Sequence, residues 1–167
     1  KALDEARDAV AEALGCNAGE VIFTSGGTEG DNSAVLGTVR KLGGVAVCTA
    51  TEHHAVLHCV EHVDGVVVRV NNVGSVDLDD LARVLQEATP EKPITVVSVM
   101  AVNNEVGTIT PMRDVARIVR KHAPNALLHT DAVQAACWLG LREITPLVDA
   151  LSLSAHKFGG PKGVGIM

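Results

Sequence analysis

The chain has 167 residues, 47% of them hydrophobic, and a mean hydropathy of +0.24, which is enough apolar material for one sizeable core and too much for a disordered chain. Its net charge of -6, the absence of any Lys/Arg cluster, and the presence of only two Phe, one Trp and no Tyr exclude a surface built to follow phosphate backbones and stack bases, so no nucleic-acid partner is expected. No apolar run approaches the roughly 20 residues that a helix needs to cross a bilayer, so a soluble, cytoplasmic chain without membrane contact is expected.

Residues 1–15 form an amphipathic segment unlike a signal peptide. Short β-branched runs then alternate with segments in which Leu, Val and Ala return every three or four residues. "EVIFT" (20–24) predicts a strand and 28–41 a helix; "VAVCTA" (45–50) a strand and 53–63 a helix; "GVVVRV" (65–70) a strand and 77–88 a helix. That last helix opens on acidic residues suited to its N-terminus, and "TPEKP" (89–93) is a connector before the strand "ITVVSVMA" (94–101). A helix at 112–122, the strand "ALLHTD" (126–131), a helix at 132–139 and the strand "DALSLS" (149–154) follow. Repeated β-α-β implies an α/β fold, a mostly parallel sheet with helices on both faces, which explains why "ITVVSVMA" does not alternate between apolar and polar. One domain spans 1–167, without internal repeats. Because the chain starts at Lys1 and stops at Met167 within the strand-like "GVGIM", a segment of a longer protein is expected.

Cys16, Cys48, Cys59 and Cys137 show no CxxC spacing and no zinc-type cluster, so neither a disulfide framework nor a metal site is expected. Cys16 and Cys137 fall in helical pattern, Cys48 in a strand and Cys59 on a helix, and all four read as buried structural thiols.

In open α/β sheets ligands bind beyond the carboxyl ends of the strands, which directs attention to the residues after each run. "SGGTEGDN" (25–32) follows the first strand, and its glycines and helix start suit an anion, with Thr28 adding a hydroxyl, or simply a capped turn. It is neither a Walker A loop nor a G-x-G-x-x-G fingerprint. "TEHHAV" (51–56) places His53 and His54 at the mouth of a helix, where a ring could lie on a flat ligand or move protons, or where both stand in solvent. The amides of "VNNEVG" (102–107) suit a cap or a ligand. In "DAVQ" (131–134), Asp131 needs a partner if half-buried, either a protonated ring nitrogen or the N–H groups of a following helix, with Gln134 on the same side. "SLSAHKFGG" (152–160) delivers Ser154, His156 and Lys157. A lysine at the inner end of an apolar strand would have its charged form disfavoured by burial, leaving the neutral amine that forms a Schiff base; the alternative is a lysine snorkelling from a loop. Together these residues form the parts list of a pyridoxal 5'-phosphate site.

"SGGTEGDN", "TEHHAV", "VNNEVG", "DAVQ" and "SAHKFGGPKG", in this order, resemble the large domain of a cysteine desulfurase of the class V aminotransferase superfamily, with the fold type I (aspartate aminotransferase-like) architecture of pyridoxal-phosphate-dependent transferases. The resemblance implies that Lys157 holds the cofactor as a Schiff base, that Asp131 pairs with the pyridine nitrogen and that Gln134 reaches the phenolic oxygen. It places His53 on the ring as a stacking and proton-transfer residue, Asn104 at the ring's edge, and Gly27, Thr28, Ser154 and His156 around the phosphate. The implied reaction takes sulfur from L-cysteine, giving L-alanine and an enzyme persulfide for iron-sulfur cluster assembly or other sulfur transfer. The implied assembly is a homodimer served by a scaffold or sulfur-acceptor protein, one phosphate contact coming from the partner subunit.

Selenocysteine lyases and other class V enzymes share most of these motifs, and a non-catalytic assembly domain is a further alternative that the presence of Lys157 opposes. Gly30 and Ala155 stand where many relatives have Ser and Gly, departures that remove no implied contact. The family's N-terminal strand, small C-terminal domain, substrate-carboxylate arginine and persulfide cysteine have no counterpart in 1–167, so the segment alone is expected to be inactive.

Overall fold

A computed structural model describes residues 1–167. Seven strands form one sheet: β1 (Phe23–Thr24), β2 (Val45–Thr49), β3 (Val66–Val68), β4 (Ile94–Ser98), β5 (Leu127–Asp131), β6 (Ala150–Ser154) and β7 (Gly165–Ile166). Their order is β1-β7-β6-β5-β4-β2-β3, and every pairing is parallel except those of β7, which runs antiparallel between β1 and β6. This is the mostly parallel α/β sheet that the β-α alternation predicts. The chain moves outward from β2 to β3 and then returns to lay β4, β5 and β6 on the other side of β2. The direction of winding therefore reverses between β2 and β4, the position where open α/β sheets place their ligands.

Five helices cover it: α1 (Ala2–Leu14), α2 (Gly27–Leu42), α3 (His54–His62), α4 (Leu78–Gln86) and α5 (Met112–His122). Every residue of β4 is buried because side chains on both faces meet helices. Val96 points with Ala46 and Cys48 towards Val35 of α2 and Val56 and Val60 of α3, while Val97 and Val47 point to Leu81 and Leu85 of α4 and Val115 and Val119 of α5. A third cluster joins Leu14 of α1 to Leu151, Leu153 and Ile166 beside the first strand. Asp77 caps α4 by accepting from the N–H groups of Asp79 and Asp80, as the acidic opening of that segment predicts.

Three expectations are corrected. The first strand is two residues long instead of five, because Ala18–Glu20 closes a 3-10 turn, with Asn17 and Glu20 bonded to each other, before the chain enters the sheet. Residues 132–139 do not form a regular helix; only Ala135–Cys137 makes a 3-10 turn, in which Ala132, Ala135, Ala136 and Leu139 still pack on the core while Trp138 projects into solvent, 71% exposed. Cys137 consequently stands exposed in that turn, its Sγ donating to the Lys157 carbonyl at 2.9 Å, whereas Cys48 and Cys59 are buried as expected and Cys16 is half-buried. No helix is long and apolar enough to cross a membrane.

Backbone proximity gives β7 its sequence requirement. A Cβ on Gly165 would lie 2.5 Å from both the Gly26 carbonyl carbon and the Thr24 Oγ1. Gly165→Ala is expected to destabilise the fold by about 2 kcal/mol through overpacking. Gly37→Ala, at an exposed position of α2 where an added Cβ meets nothing within 4 Å, is expected to stabilise by about 0.5–1 kcal/mol. Denaturant midpoints of the two variants check both signs.

Candidate functional site

At the carboxyl ends of the strands lies a cleft of about 240 Å³. The start of α2 contributes Gly27, Thr28 and Asp31; the segment after β2 contributes His53; the segment after β4, Met100 and Asn104; β5 and its exit, Asp131, Val133 and Gln134; and β6 and its exit, Ser154, His156 and Lys157. All nine residues singled out from the sequence (Gly27, Thr28, His53, Asn104, Asp131, Gln134, Ser154, His156 and Lys157) line this one cleft.

One end of the cleft suits an anion. The first N–H groups of the 16-residue α2 have no partner within the helix, and its positive dipole end faces the cleft. Gly27 lets the helix approach closely: an added Cβ would stand 2.6 Å from Val133 Cγ2. Ser154 Oγ and His156 Nδ1 are 2.9 Å apart, so the hydroxyl and the imidazole orient each other. The Glu29 carboxylate bonds the Ser25 N–H at 2.6 Å, which ties the loop to its own helix.

The other end holds carboxyl groups. Asp131, the last residue of β5, is 4% exposed, and its Oδ1 accepts from the Val133 N–H at 2.9 Å. Burial raises its pKa above the ordinary carboxylate range, opposed by the Val133 hydrogen bond and then by the charges of His53 and Lys157. His53 is the N-cap of α3; its Nδ1 accepts the Ala55 N–H at 3.1 Å, which in the neutral ring leaves the proton on Nε2. His54 is exposed and lies outside this cleft, stacked on His58 with ring centroids 5.0 Å apart.

The two amides of "VNNEVG" divide the roles left open for them. Asn103 is structural, with Nδ2 donating to the Thr51 carbonyl and Oδ1 accepting from the N–H groups of Glu105 and Val106, while Asn104 is exposed towards the cleft. The burial expected for Lys157 is not found. β6 ends at Ser154, the next four residues turn as a 3-10 helix, and Lys157 stands exposed at the mouth.

Three polar residues under the cleft carry no assignment in the sequence reading: Asp31, Glu52 and His129. Glu52 is buried; its Oε1 accepts from Thr49 Oγ1 at 2.6 Å and from the Met100 N–H at 2.8 Å, joining the exits of β2 and β4 across the winding reversal, while its Oε2 has no partner. Burial pushes its pKa up to about 8. His129, wholly buried in β5, lies between Ser98 Oγ at 2.8 Å and Ser152 Oγ at 2.9 Å, and burial pushes it down to about 3, so the ring is neutral. The period of two along β5 was the available signal for His129, since it puts this residue on the same face as Asp131. The signal for Asp31 was its spacing of three from Thr28, which puts both on one side of α2.

The family model described as aminotransferase class-V matches residues 1–167. The chain is 40% identical to the cysteine desulfurase IscS of Dictyoglomus turgidum over 99% of its own length and 42% of that protein. Among solved structures it resembles a NifS-like protein (TM-score 0.85, 39% identity, 98% of this chain and 46% of the other). It also resembles SspA in complex with cysteine (TM-score 0.80, 30% identity, 99% of this chain and 48% of the other). The chain spans less than half the length of each of these proteins.

The closeness of α2 to β5 makes the anion end testable without any reaction. Gly27→Ala pushes the first turn of α2 off Val133 and is expected to weaken binding of a phosphate monoester about tenfold, equivalent to about 1.4 kcal/mol, measured by isothermal titration.

Proposed function

This chain belongs to the aminotransferase class-V family, and we propose that it carries the pyridoxal 5'-phosphate site of a cysteine desulfurase, which removes sulfur from L-cysteine and leaves L-alanine. The observation that carries this reading is the convergence of the nine residues on one cleft with an anion-binding end and a carboxylate end. The donor set fits a flat, phosphate-bearing cofactor. Gly27, where a Cβ would stand 2.6 Å from Val133 Cγ2, lets the unpaired N–H groups of α2 reach the cleft, and Asp31 Oδ1 is a buried oxygen without a partner beneath it. The relatives named cysteine desulfurase and the neighbour solved with cysteine support the choice of substrate.

When bound, pyridoxal phosphate supplies an electron sink for the electron pair left at a substrate's α-carbon. The residues of this chain do the rest. Gly27, Thr28, Ser154 and His156 would hold the phosphate, and Lys157, exposed at the mouth, is the amine that would hold the cofactor covalently. Asp131 would keep a proton on the pyridine nitrogen, its carboxylate fixed in position by the Val133 N–H. Gln134 would donate to the phenolic oxygen, with Asn104 at the ring's edge. His53, its Nδ1 occupied by the Ala55 N–H, would present Nε2 to the cleft for stacking and for moving a proton at the α-carbon.

None of the four cysteines lines the cleft. Cys48 and Cys59 are buried, Cys16 lines a different cleft at the amino ends of the strands, and the Cys137 thiol is bonded to the Lys157 carbonyl. The persulfide step therefore calls for a cysteine beyond these residues. We also propose a cytoplasmic homodimer that passes sulfur to an acceptor or scaffold protein for iron-sulfur cluster assembly, as the resemblance of the site motifs implies.

Pyridoxal phosphate followed by borohydride is expected to label the peptide bearing Lys157, read by mass spectrometry, and Lys157→Ala is expected to abolish that label. A label on another lysine, or none on the folded protein, would overturn the assignment.

A further inference from the structure

Two carboxyl groups meet under the cleft, and the structure treats them unequally. Asp31, His53 and Asp131 each place a side-chain oxygen or ring nitrogen within 4.8 Å of the other two. Asp131 has a backbone N–H at 2.9 Å, and His53 and Lys157 lie close enough to offset its charge. Asp31 is 1% exposed and its Oδ1 has no hydrogen-bond partner. The nearest basic atom to that oxygen is His129 Nε2, at 3.6 Å, and both nitrogens of this ring are already engaged by Ser98 and Ser152.

The groups facing Asp31 come from every element around it. β5 presents His129 and Asp131, the segment after β2 presents Glu52 and His53, α3 presents Cys59, and the turn after β6 presents Lys157 at the mouth. β6 presents only the Ser152 hydroxyl, which His129 shares. Nothing in this shell compensates a charge on Asp31 as Val133, His53 and Lys157 compensate one on Asp131.

We propose that Asp31 is a positioning residue that remains a neutral carboxylic acid beneath the cleft, so that Asp131 alone carries the negative charge offered to the pyridine nitrogen. Two carboxyl groups this close in a buried site do not both ionise, and unequal surroundings decide which one does. The proton on Asp31 is kept by burial and by the neighbouring charge of Asp131, which together push it up to about 8. The role assigned to Asp131 rests on the pyridoxal phosphate reading of the site; the protonation of Asp31 does not.

The sign of the effect on stability follows from linkage. Unfolded, Asp31 loses its proton near 3.8; folded, it keeps it to about 8. The folded state therefore binds more protons between these limits, and the contribution of Asp31 to stability falls as pH rises from 4 to 8 and is constant above. Asp31→Asn, which matches the neutral acid in shape, removes this loss. Cofactor-free protein is expected to show a melting-temperature advantage of Asp31→Asn over the unaltered protein that grows from pH 5 to pH 8 and then levels. The same growth is expected in a Glu52→Gln background, because Glu52 titrates in the same window. An advantage that does not vary with pH, or that disappears in the Glu52→Gln background, overturns the proposal.

Absorbance titration with pyridoxal phosphate at pH 7 is the second arm. Asp31→Asn is expected to bind within about threefold of the unaltered protein, and Asp131→Asn about tenfold or more weakly, a difference of about 1.4 kcal/mol in the second case. Equal losses in the two variants overturn the division of charge. If the unaltered protein binds no pyridoxal phosphate while the melting trend holds, the cofactor reading and the role of Asp131 fall and the neutrality of Asp31 stands.

Discussion

The site depends on how closely α2 lies on the carboxyl half of the sheet. Gly27 and Gly30 face the strands where a Cβ would come within 2.6 Å of Val133 Cγ2 and 2.7 Å of Ser152 Oγ. This approach has two results at once. It carries the N-terminal dipole of a 16-residue helix to the ends of β5 and β6, and it drives Asp31, one turn further on, out of water and beside Asp131. The anion end and the carboxylate end of the cleft are therefore products of one packing contact. A glycine at 30 is also matched to its neighbour, since the space that a larger residue would need here is taken by the Ser152 hydroxyl, which in turn holds His129.

Burial of so much charge capacity is tolerated because little of it is ionised. His129 is pushed down and Glu52 and Asp31 are pushed up, each by loss of water, so near neutral pH three of the buried titratable groups are uncharged. Each can then serve in hydrogen bonding. Glu52 links the exits of β2 and β4, and His129 links β4 to β6 across β5 through two serines. Asp131, at the end of β5, is the carboxyl beside the cleft whose surroundings, the Val133 N–H with His53 and Lys157, favour a charge. Around the cleft the roles divide: neutral Glu52 and His129 hold the strand ends in register, and Asp131 lines the cleft.

Much of this was legible in the residues. The alternation of strand and helix, the buried character of β4 and the location of the site at the strand ends follow from periodicity and from the geometry of parallel sheets. Most of the nine cleft residues are legible because they stand at or just after strand ends, where position in the chain nearly determines position in space, and the family resemblance adds Gly27 and Asn104. The failures have physical causes. The segment 132–139 has helical spacing, and Ala132, Ala135, Ala136 and Leu139 do pack on the core, but the spacing of a buried face does not tell a 3-10 turn from a regular helix. Lys157 was expected at the end of a strand, and the 3-10 turn of Ala155–Phe158 carries it to the mouth of the cleft instead.

Asp31, Glu52 and His129 were missed for a different reason. Each lies beside residues that were recognised, yet its role comes from neighbours distant in the chain: Glu52 from Met100, His129 from Ser98 and Ser152, Asp31 from Asp131. A carboxylate in a loop or a helix reads as solvated until the element above it is known to be close. The glycines at 27 and 30 were the sequence's record of that closeness, since small residues spaced along a helix that faces a sheet permit the approach that buries whatever polar side chain follows. "SGGTEGDN" is therefore more than a cradle for an anion: its small residues seat the helix, and its aspartate is what that seating removes from water.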